Sequence, residues 1–293
     1  MPFTSSRLWA AMVAVTGALL ANTVNAAEQR IALVIGNAAY AGIQSLQNPL
    51  NDAAEVEKAL RGLGFRVLLL RDGRKVDIDA AIRQFSTLVR GADVGLFYYS
   101  GHGFQTSRAD QHHPVNHLVP VDFHLPTGPT LENTVPLDDI LRPLETARVS
   151  LVFMDACRSD PSLAQASRRF GDQARSVALG RGFAPVVVSR DAGRGVIGSA
   201  VNDGRPSGML IAYAAAPGNE ASDGDGRVSP FTKALLQHIQ SPGVAITEIM
   251  GRVGSEVQRD TGFRQHPWYV SGLTAAFFLV PQAKRPTGPL ILP

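Results

Sequence analysis

The sequence predicts an α/β protein whose mostly parallel sheet is covered by helices on both faces. Continuous apolar runs alternate with segments of helical periodicity, which is the pattern of strands buried on both sides. The runs predicted as main strands are residues 31–35, 67–70, 94–99, 149–154 and 209–215. Because a helix-length segment separates most of these runs, crossover connections between parallel strands are favoured over hairpins.

The helical segments carry their own boundary signals. Asn48 followed by Pro49 predicts the start of the first helix, and Gly64 predicts its end. Asp77 is expected to cap the second helix. Other predicted elements are a short extended piece at 118–121, helices at 137–146, 230–239 and 246–257, and a final strand at 275–280.

Residues 1–26 have the layout of a secretory signal peptide. Arg7 precedes a largely apolar stretch at 8–20, and the small residues at 24–26 resemble a cleavage site. An uncleaved membrane anchor is the alternative, but the stretch is short for a span that needs about 20 residues. We therefore expect residues 1–26 to be removed and the mature chain to be exported, periplasmic or secreted, without insertion into a membrane.

Length and charge outline the rest of the chain. Residues 28–282 are long enough for one large domain, and 283–293 form a Pro-rich tail. The net charge of +3 falls to +2 without Arg7, which is too weak to suggest a nucleic-acid partner. Residues 158–205 hold eight Arg and four Asp and show little periodicity. This composition predicts a basic linker at 159–207 between a larger part, 28–158, and a smaller part, 208–282.

Cys157 is the single cysteine, and it directly follows a predicted strand. His102 lies 55 residues earlier in Ser-Gly-His-Gly, also after a predicted strand. The carboxyl ends of parallel strands meet at one edge of a sheet, so we expect the two side chains to meet there. A thiolate beside an imidazolium is a nucleophile, and the N–H groups of Gly103 and Cys157 are natural oxyanion donors. A buried, inert cysteine is the alternative.

These motifs resemble those of the caspase-like cysteine peptidases, and they are most similar to the metacaspase and paracaspase branch. The matching segments are Ile31-Ala-Leu-Val-Ile-Gly-Asn, Leu50-Asn-Asp-Ala, Tyr98-Tyr-Ser-Gly-His-Gly, Leu118-Val-Pro-Val-Asp and Asp155-Ala-Cys-Arg. The resemblance runs over residues 30–281. It implies a six-stranded caspase–haemoglobinase sheet, a dyad of His102 and Cys157, and peptide or protein substrates cut after a basic residue.

The resemblance departs from the typical metacaspase at two positions. Ala156 and Arg158 stand where metacaspases carry Ser and His, which is closer to the paracaspase form. Nothing in the sequence supports calcium dependence, and no cofactor is predicted. The sequence does not specify an oligomeric state.

Acidic residues are candidates for binding the basic side chain. Asp155 lies two residues before Cys157, on the same side of an extended strand, and Asp52 lies near the start of the first helix. The resemblance implies that both line the first specificity pocket, where two carboxylates would bind a guanidinium. Helix-start electrostatics is the alternative for Asp52. The resemblance adds either Glu220 or Asp223, for which a solvated turn or a weak cation site is the alternative.

Three other motifs point to weaker hypotheses. The G-x-G-x-x-G pattern at 193–198 has no helix pattern after it, so dinucleotide binding is not expected. Trp268, in an aromatic segment, is predicted either to line a substrate subsite or to pack in the core. A metal site is not expected from the clustered histidines, which lack a regular ligand spacing. They are His112, His113, His117 and His124.

The sequence therefore predicts an exported cysteine endopeptidase that cuts after Arg or Lys and also cleaves itself in the linker. The rival class is a non-catalytic interaction scaffold on the same fold, whose signature would be loss of the dyad. A nicotinamide-dependent enzyme would rest on the glycine motif alone. A linker that is never cut is the alternative to self-cleavage. The predicted cut sites follow Arg168, Arg169, Arg175 and Arg181.

Overall fold

Six strands form the main sheet of the protein. The structure, a computed structural model, describes residues 27–108, 115–124, 133–156, 177–180, 205–216 and 221–282. In chain order the six strands are β1 (Arg30–Gly36), β2 (Arg66–Arg71), β3 (Val94–Ser100), β7 (Val149–Asp155), β9 (Gly208–Tyr213) and β10 (Trp268–Ser271). Their order in space is β10-β9-β7-β3-β1-β2, and all neighbours are parallel except β10, which is antiparallel to β9. The predicted mostly parallel six-stranded sheet is confirmed.

The strand register aligns three carboxyl ends. Gly36 is paired with Ser100, and Ser100 is paired with Asp155. The ends of β1, β3 and β7 therefore lie side by side at one edge, called here the carboxyl edge. All residues of β3 and β7 are buried, as continuous apolar runs predict for central strands.

Helices cover both faces of this sheet. They are α1 (Pro49–Gly62), α2 (Lys75–Val89), α3 (Asp138–Leu144), α4 (Pro230–His238) and α5 (Ile246–Asp260). The chain steps outward from β1 to β2 and then back past β1 to β3. Right-handed crossovers therefore place α1 and α2 on opposite faces. The contacts agree, because α1 packs against α4 and α4 against α5, whereas α2 packs against α3.

A second, antiparallel sheet lies beyond the end of β3. Its strands are β4 (Gly103–Arg108), β5 (Val115–Leu118), β6 (Val135–Pro136) and β8 (Val177–Gly180), in the spatial order β6-β5-β4-β8. Of these strands, only β5 has a predicted extended piece nearby, at 118–121. The sequence did not predict β8, which lies inside the predicted linker 159–207. These strands are short, and they lack the long apolar runs that identify the main sheet.

The predicted final strand at 275–280 is wrong. The last strand among the described residues is β10, whereas 275–280 is irregular backbone. Phe277 and Leu279 are buried, so the apolar residues of 275–280 correctly predict burial although they do not form a strand. The carbonyl of Phe277 accepts from the N–H of Ile246, and that of Val280 accepts from Gly243. These two backbone carbonyls therefore have hydrogen-bond partners at the start of α5 and in the loop before it, and they need no pairing with a neighbouring strand.

Two helix starts differ in detail from the prediction. Asp77 is not the N-cap of α2, because that position belongs to Arg74. Asp77 stands three residues later, and its carboxylate accepts from the backbone N–H of Arg74 at 3.2 Å. Asn48 does precede α1, but its side chain makes no cap bond and instead donates to the carbonyl of Asp223.

Several predictions concern residues outside those that the structure describes. They are the signal peptide at 1–26, most of the linker 159–207 with its glycine motif and four candidate cut sites, the tail at 283–293, and the residues Cys157, Glu220, His112 and His113. Export, the domain boundaries and self-cleavage stay predictions. In the described part of the chain, no helix is both long and apolar enough to cross a membrane.

Candidate active site

The two predicted catalytic motifs begin from neighbouring strand ends. Ser100 and Asp155 are partners at the ends of β3 and β7, and the N–H of Gly101 donates to the carbonyl of Asp155 at 3.4 Å. His102 is two residues beyond Ser100, and in the sequence Cys157 is two residues beyond Asp155. The register therefore brings the histidine motif and the chain that leads to Cys157 to the same place on the carboxyl edge.

His102 is held through its backbone and is only 2% exposed. Its N–H donates to the hydroxyl of Tyr40 at 2.8 Å, and its carbonyl accepts from the hydroxyl of Tyr99 at 2.7 Å. The carbonyl also accepts from the N–H of Val119 at 3.1 Å. A Cβ at Gly101 would lie 2.7 Å from both tyrosine hydroxyls, so this close arrangement requires glycine there.

The His102 ring is oriented by a backbone carbonyl. Its Nε2 lies 2.8 Å from the carbonyl oxygen of Gln44. Since a carbonyl can only accept, Nε2 carries the hydrogen, and Nδ1 is the basic nitrogen of the neutral ring. The same oxygen stabilises the positive charge when the ring is protonated. Gln44 is not among the residues predicted from the sequence, and no side-chain pattern could have identified it, because the group that acts is a backbone oxygen.

Gln44 belongs to a loop that connects β1 to α1, called here the Gln44 loop (residues 37–48). Apolar side chains attach this loop to the second sheet, since Ile43 and Leu46 pack on a small cluster separate from the main core. The N–H of Ala41 also donates to the carbonyl of Val121 at 2.9 Å. The cluster consists of Tyr40, Phe104, Val119, Val121 and Phe123. It places the carbonyl of Gln44 within reach of the His102 ring.

Two polar side chains fix the start of the Gln44 loop. The buried amide of Asn37 accepts from the N–H of Gly73 at 2.9 Å and donates to the carbonyl of Val119 at 3.0 Å. The carboxylate of Asp72 accepts from the N–H groups of Ala38 at 2.8 Å and Ala39 at 2.9 Å. Asp72 has a left-handed backbone with φ of +47°, a conformation that Asp tolerates better than most residues.

The predicted specificity residues Asp52 and Asp155 meet in one buried cluster, and both are 0% exposed. Ser229 joins them: its N–H donates to Oδ1 of Asp52 at 2.8 Å, and its hydroxyl donates to Oδ2 of Asp155. Ser100 donates to Oδ2 of Asp52 at 2.8 Å, and Thr232 donates to Oδ2 of Asp155 at 2.7 Å. These five residues are called here the acidic cluster.

The charge of this cluster affects the pKa of the phenol of Tyr98. Its hydroxyl lies 2.5 Å from that of Thr232 and 3.5 Å from Oδ2 of Asp155. Burial raises the pKa of Tyr98 well above 10.0, and the negative charges of Asp52 and Asp155 raise it further. Neutral donors such as Ser and Thr hydroxyls stabilise buried carboxylates without cancelling their charge. The cluster is therefore the candidate binding site for a basic side chain.

The remaining predicted site residues have separate places. Oδ2 of Asp223 accepts from the N–H of Gln47 at 2.8 Å, so this carboxylate contacts the Gln44 loop. Gly103 opens β4 and is paired with Leu118, and its role as an oxyanion donor stays a prediction. Glu220 and Cys157 lie outside the described residues.

Two residues named in the weaker sequence hypotheses have packing contacts in the structure. Trp268 stacks on Tyr213 with 5.6 Å between ring centroids, which is a packing contact between β10 and β9. His117 stacks on Phe104 and lies 3.0 Å from the hydroxyl of Thr134. Within the described residues, no three His, Cys, Asp or Glu side chains are grouped in a way that could hold a metal ion.

The comparison with known families agrees with the fold and the motifs. The family model described as the caspase domain of the C14 peptidases matches residues 29–278. The chain belongs to the caspase family. The resemblance found in the sequence is confirmed, and the main sheet, His102 and the acidic cluster all lie within the matched range.

Curated relatives of this caspase-family chain occur in mammals. They are mucosa-associated lymphoid tissue lymphoma translocation protein 1 of Homo sapiens and its homolog of Mus musculus. Each is 33% identical over 134 residues, which are 45% of this chain and 15% of the relative. The match thus spans a small part of these relatives' length, and we take from it the family alone.

Proposed function

We propose that this caspase-family protein is a cysteine endopeptidase that cuts peptide bonds after Arg or Lys. Family membership supports a caspase-like peptidase acting on proteins, and the proposal adds the dyad and the specificity. The observation that carries it is the buried pair Asp52 and Asp155 beside the histidine motif. Ser100, which donates to Asp52, is only two residues from His102. A basic side chain bound there would lie close to the catalytic histidine.

In the proposed mechanism, Nδ1 of His102 takes the proton of the Cys157 thiol. The thiolate attacks the carbonyl carbon of the peptide bond, and the N–H groups of Gly103 and Cys157 stabilise the resulting oxyanion. His102 then gives its proton to the departing amine, which leaves a thioester that water hydrolyses. The carbonyl of Gln44 stabilises the imidazolium between these two transfers.

The proposed specificity follows from the charge of the acidic cluster. A guanidinium can donate to both carboxylates through its planar set of N–H groups, and an ammonium can bind as a point charge. The two aspartates would repel an acidic side chain. Ser229 holds both carboxylates in place, so the binding geometry is preorganised before a substrate arrives.

The dyad is tested with Cys157→Ala and His102→Ala. Both variants should fold normally by circular dichroism and should lose several orders of magnitude in kcat/KM. A variant that keeps about a tenth of wild-type activity would remove the altered residue from the mechanism. A folded wild-type protein that cleaves no peptide, with or without calcium, would favour the interaction scaffold instead.

The specificity is tested with fluorogenic peptides that differ only at P1, the residue before the cut bond. Asp52→Asn or Asp155→Asn should lower kcat/KM for Arg substrates about tenfold to a hundredfold, because a buried charge-assisted hydrogen bond is lost. Cleavage after Leu should change far less. Asp138→Asn is the control, since it removes one negative charge from an exposed position. A wild-type preference for Asp at P1 would contradict the proposal.

A further inference from the structure

The Gln44 loop is held at its two ends by carboxylates that accept backbone N–H groups. At its start, Asp72 accepts from Ala38 and Ala39. At its end, Asp223 accepts from Gln47 at 2.8 Å. Asn48 strengthens the second anchor, because its side-chain amide donates to the backbone carbonyl of Asp223 at 2.5 Å. Both anchors act on the backbone of the loop.

The part of the loop between these anchors is mixed: Tyr40 is buried, whereas Gln44 and its neighbours toward Gln47 are exposed or half-buried. Gln44 and Gln47 are exposed to solvent, and they are only three positions apart in the sequence. Such a segment spans about 10 Å at most, so a displacement of Gln47 moves the carbonyl of Gln44. That carbonyl orients the His102 ring. The position of Asp223 is therefore connected to the catalytic histidine through a few bonds of the main chain.

Asp223 is itself placed by a buried side chain. Gln265, 1% exposed, accepts from the N–H of Ser222 at 3.0 Å and donates to the carbonyl of Ala214 at 2.8 Å. Ala214 directly follows β9, so this amide ties the residue before Asp223 to the main sheet. The segment is thus firmly attached and can serve as a fixed support for the loop.

We propose that Asp223 is a positioning residue that holds the Gln44 carbonyl against Nε2 of His102. This inference rests on the proposed function, and it assigns Asp223 to the histidine rather than to binding of the P1 side chain. In this role Asp223 acts as a hydrogen-bond acceptor for Gln47, and its negative charge is secondary. A residue that bound a basic P1 side chain would need the charge. The two roles therefore predict different results for Asn and Ala at this position.

The kinetic test compares Asp223→Ala with Asp223→Asn on peptides with Arg, Lys and Leu at P1. Asp223→Ala should lower kcat about tenfold for all three, with KM changed less than about twofold, because an acceptor for the loop is lost. Asp223→Asn keeps an oxygen acceptor and should recover most of the activity. Asp225→Ala, an exposed acid two residues further on, is the control and should match the wild type.

The opposite pattern would overturn the proposal. If both Asp223 variants lost activity only toward Arg and Lys, Asp223 would bind the P1 side chain. Asn48→Ala provides a second route if Asp223→Ala does not fold. It removes the amide donor to Asp223 while leaving the carboxylate in place, and it should also lower kcat equally for the three peptides. Unchanged kcat in a folded Asn48→Ala protein would count against the anchor.

A spectroscopic test does not depend on peptide cleavage. In the Cys157→Ala background, the ¹⁵N signals of the His102 imidazole are identified by their loss on adding His102→Ala. Adding Asp223→Ala should shift the His102 tautomer equilibrium away from the Nε2–H form, whereas Asp223→Asn should preserve it. Identical His102 signals in all the Asp223 variants would overturn the proposal. If the wild type cleaves no peptide, this measurement still decides whether Asp223 positions the ring.

Discussion

The charge of the acidic cluster makes the stability of the folded protein depend on pH through the phenol of Tyr98. Its pKa in the folded protein is raised above 10.0 by burial and by the charges of Asp52 and Asp155. Folding therefore favours the protonated phenol. The corresponding stability is fully present below the unfolded pKa, and it is lost as the pH rises through that value toward the folded pKa.

We expect Tyr98→Phe to change how stability depends on alkaline pH. Near neutral pH the variant should be less stable by about 1 kcal/mol, because hydrogen bonds of the phenol are lost. Above about pH 10 the wild type should lose stability faster, so the difference should shrink. Urea unfolding across this range measures both effects. Tyr269→Phe, on the exposed side of β10, is the control, and parallel curves for wild type and Tyr98→Phe would contradict the prediction.

The residues found from the sequence and those missed differ in which atoms they use. His102, Asp52 and Asp155 act through side chains in motifs that follow strands or begin a helix, so their types and positions could be recognised. Gln44 acts through a carbonyl that every residue has. Ser229 meets Asp52 across 177 positions of sequence, and only the folded chain brings them together.

At the scale of elements, the start of α4 serves both the helix and the acidic cluster. The hydroxyl of Ser229 accepts from the N–H of Thr232 at 3.0 Å, which is an N-cap bond, while it donates to Asp155. Pro230 follows at the first helical position, as expected for a helix that begins here. Stability of α4 and orientation of the Asp155 carboxylate thus depend on one oxygen atom.

We expect Ser229→Ala to affect stability and specificity together. Loss of the cap should lower the free energy of unfolding by about 1 kcal/mol or more. Loss of the donor to Asp155 should lower kcat/KM for Arg substrates more than for Leu substrates. Asp77→Ala is the matched control, because it removes the carboxylate that accepts from the N–H of Arg74 at the start of α2, on the opposite face of the sheet from α1 and α4. A Ser229→Ala protein that is destabilised but keeps the wild-type ratio of Arg to Leu cleavage would contradict this link.

The strands that the sequence predicted correctly are those with long apolar runs. These runs arise because β1, β3, β7 and β9 are buried among neighbours on both sides. The second sheet escaped prediction because its strands are short and are specified by pairing between distant segments. At 275–280 a strand was predicted where none exists. The apolar pattern there reflects burial of alternate residues, which does not require pairing with another strand.

For the whole molecule, the important contact is the parallel ladder between β7 and β9. It pairs Val149 to Met154 with Gly208 to Tyr213 and therefore joins the two parts of the chain that flank the predicted linker 159–207. A chain cut in the linker would keep this ladder and the core around it. The two parts can therefore stay associated even when the chain between them is cut.

We expect the purified wild-type protein to cleave itself in the linker. Two unequal pieces should separate in denaturing gels but elute together in native size-exclusion chromatography, while Cys157→Ala should stay whole. N-terminal sequencing should place the new end after Arg168, Arg169, Arg175 or Arg181. Replacing all four with Gln should prevent the cut, and these uncut chains test whether activity needs it. A wild-type chain that remains full length during peptide turnover would show that processing is not required.

The acidic cluster takes its members from α1, β3, β7 and α4, and so from both sides of the linker. An unfolded chain cannot assemble these groups, so a cation that binds among them selects the folded state by mass action. At a concentration of 100 times its dissociation constant, such a ligand would add about 2.7 kcal/mol to stability. In a cut protein, the same ligand would bind both pieces at once and so stabilise their association, and the pieces could separate only after the ligand is released.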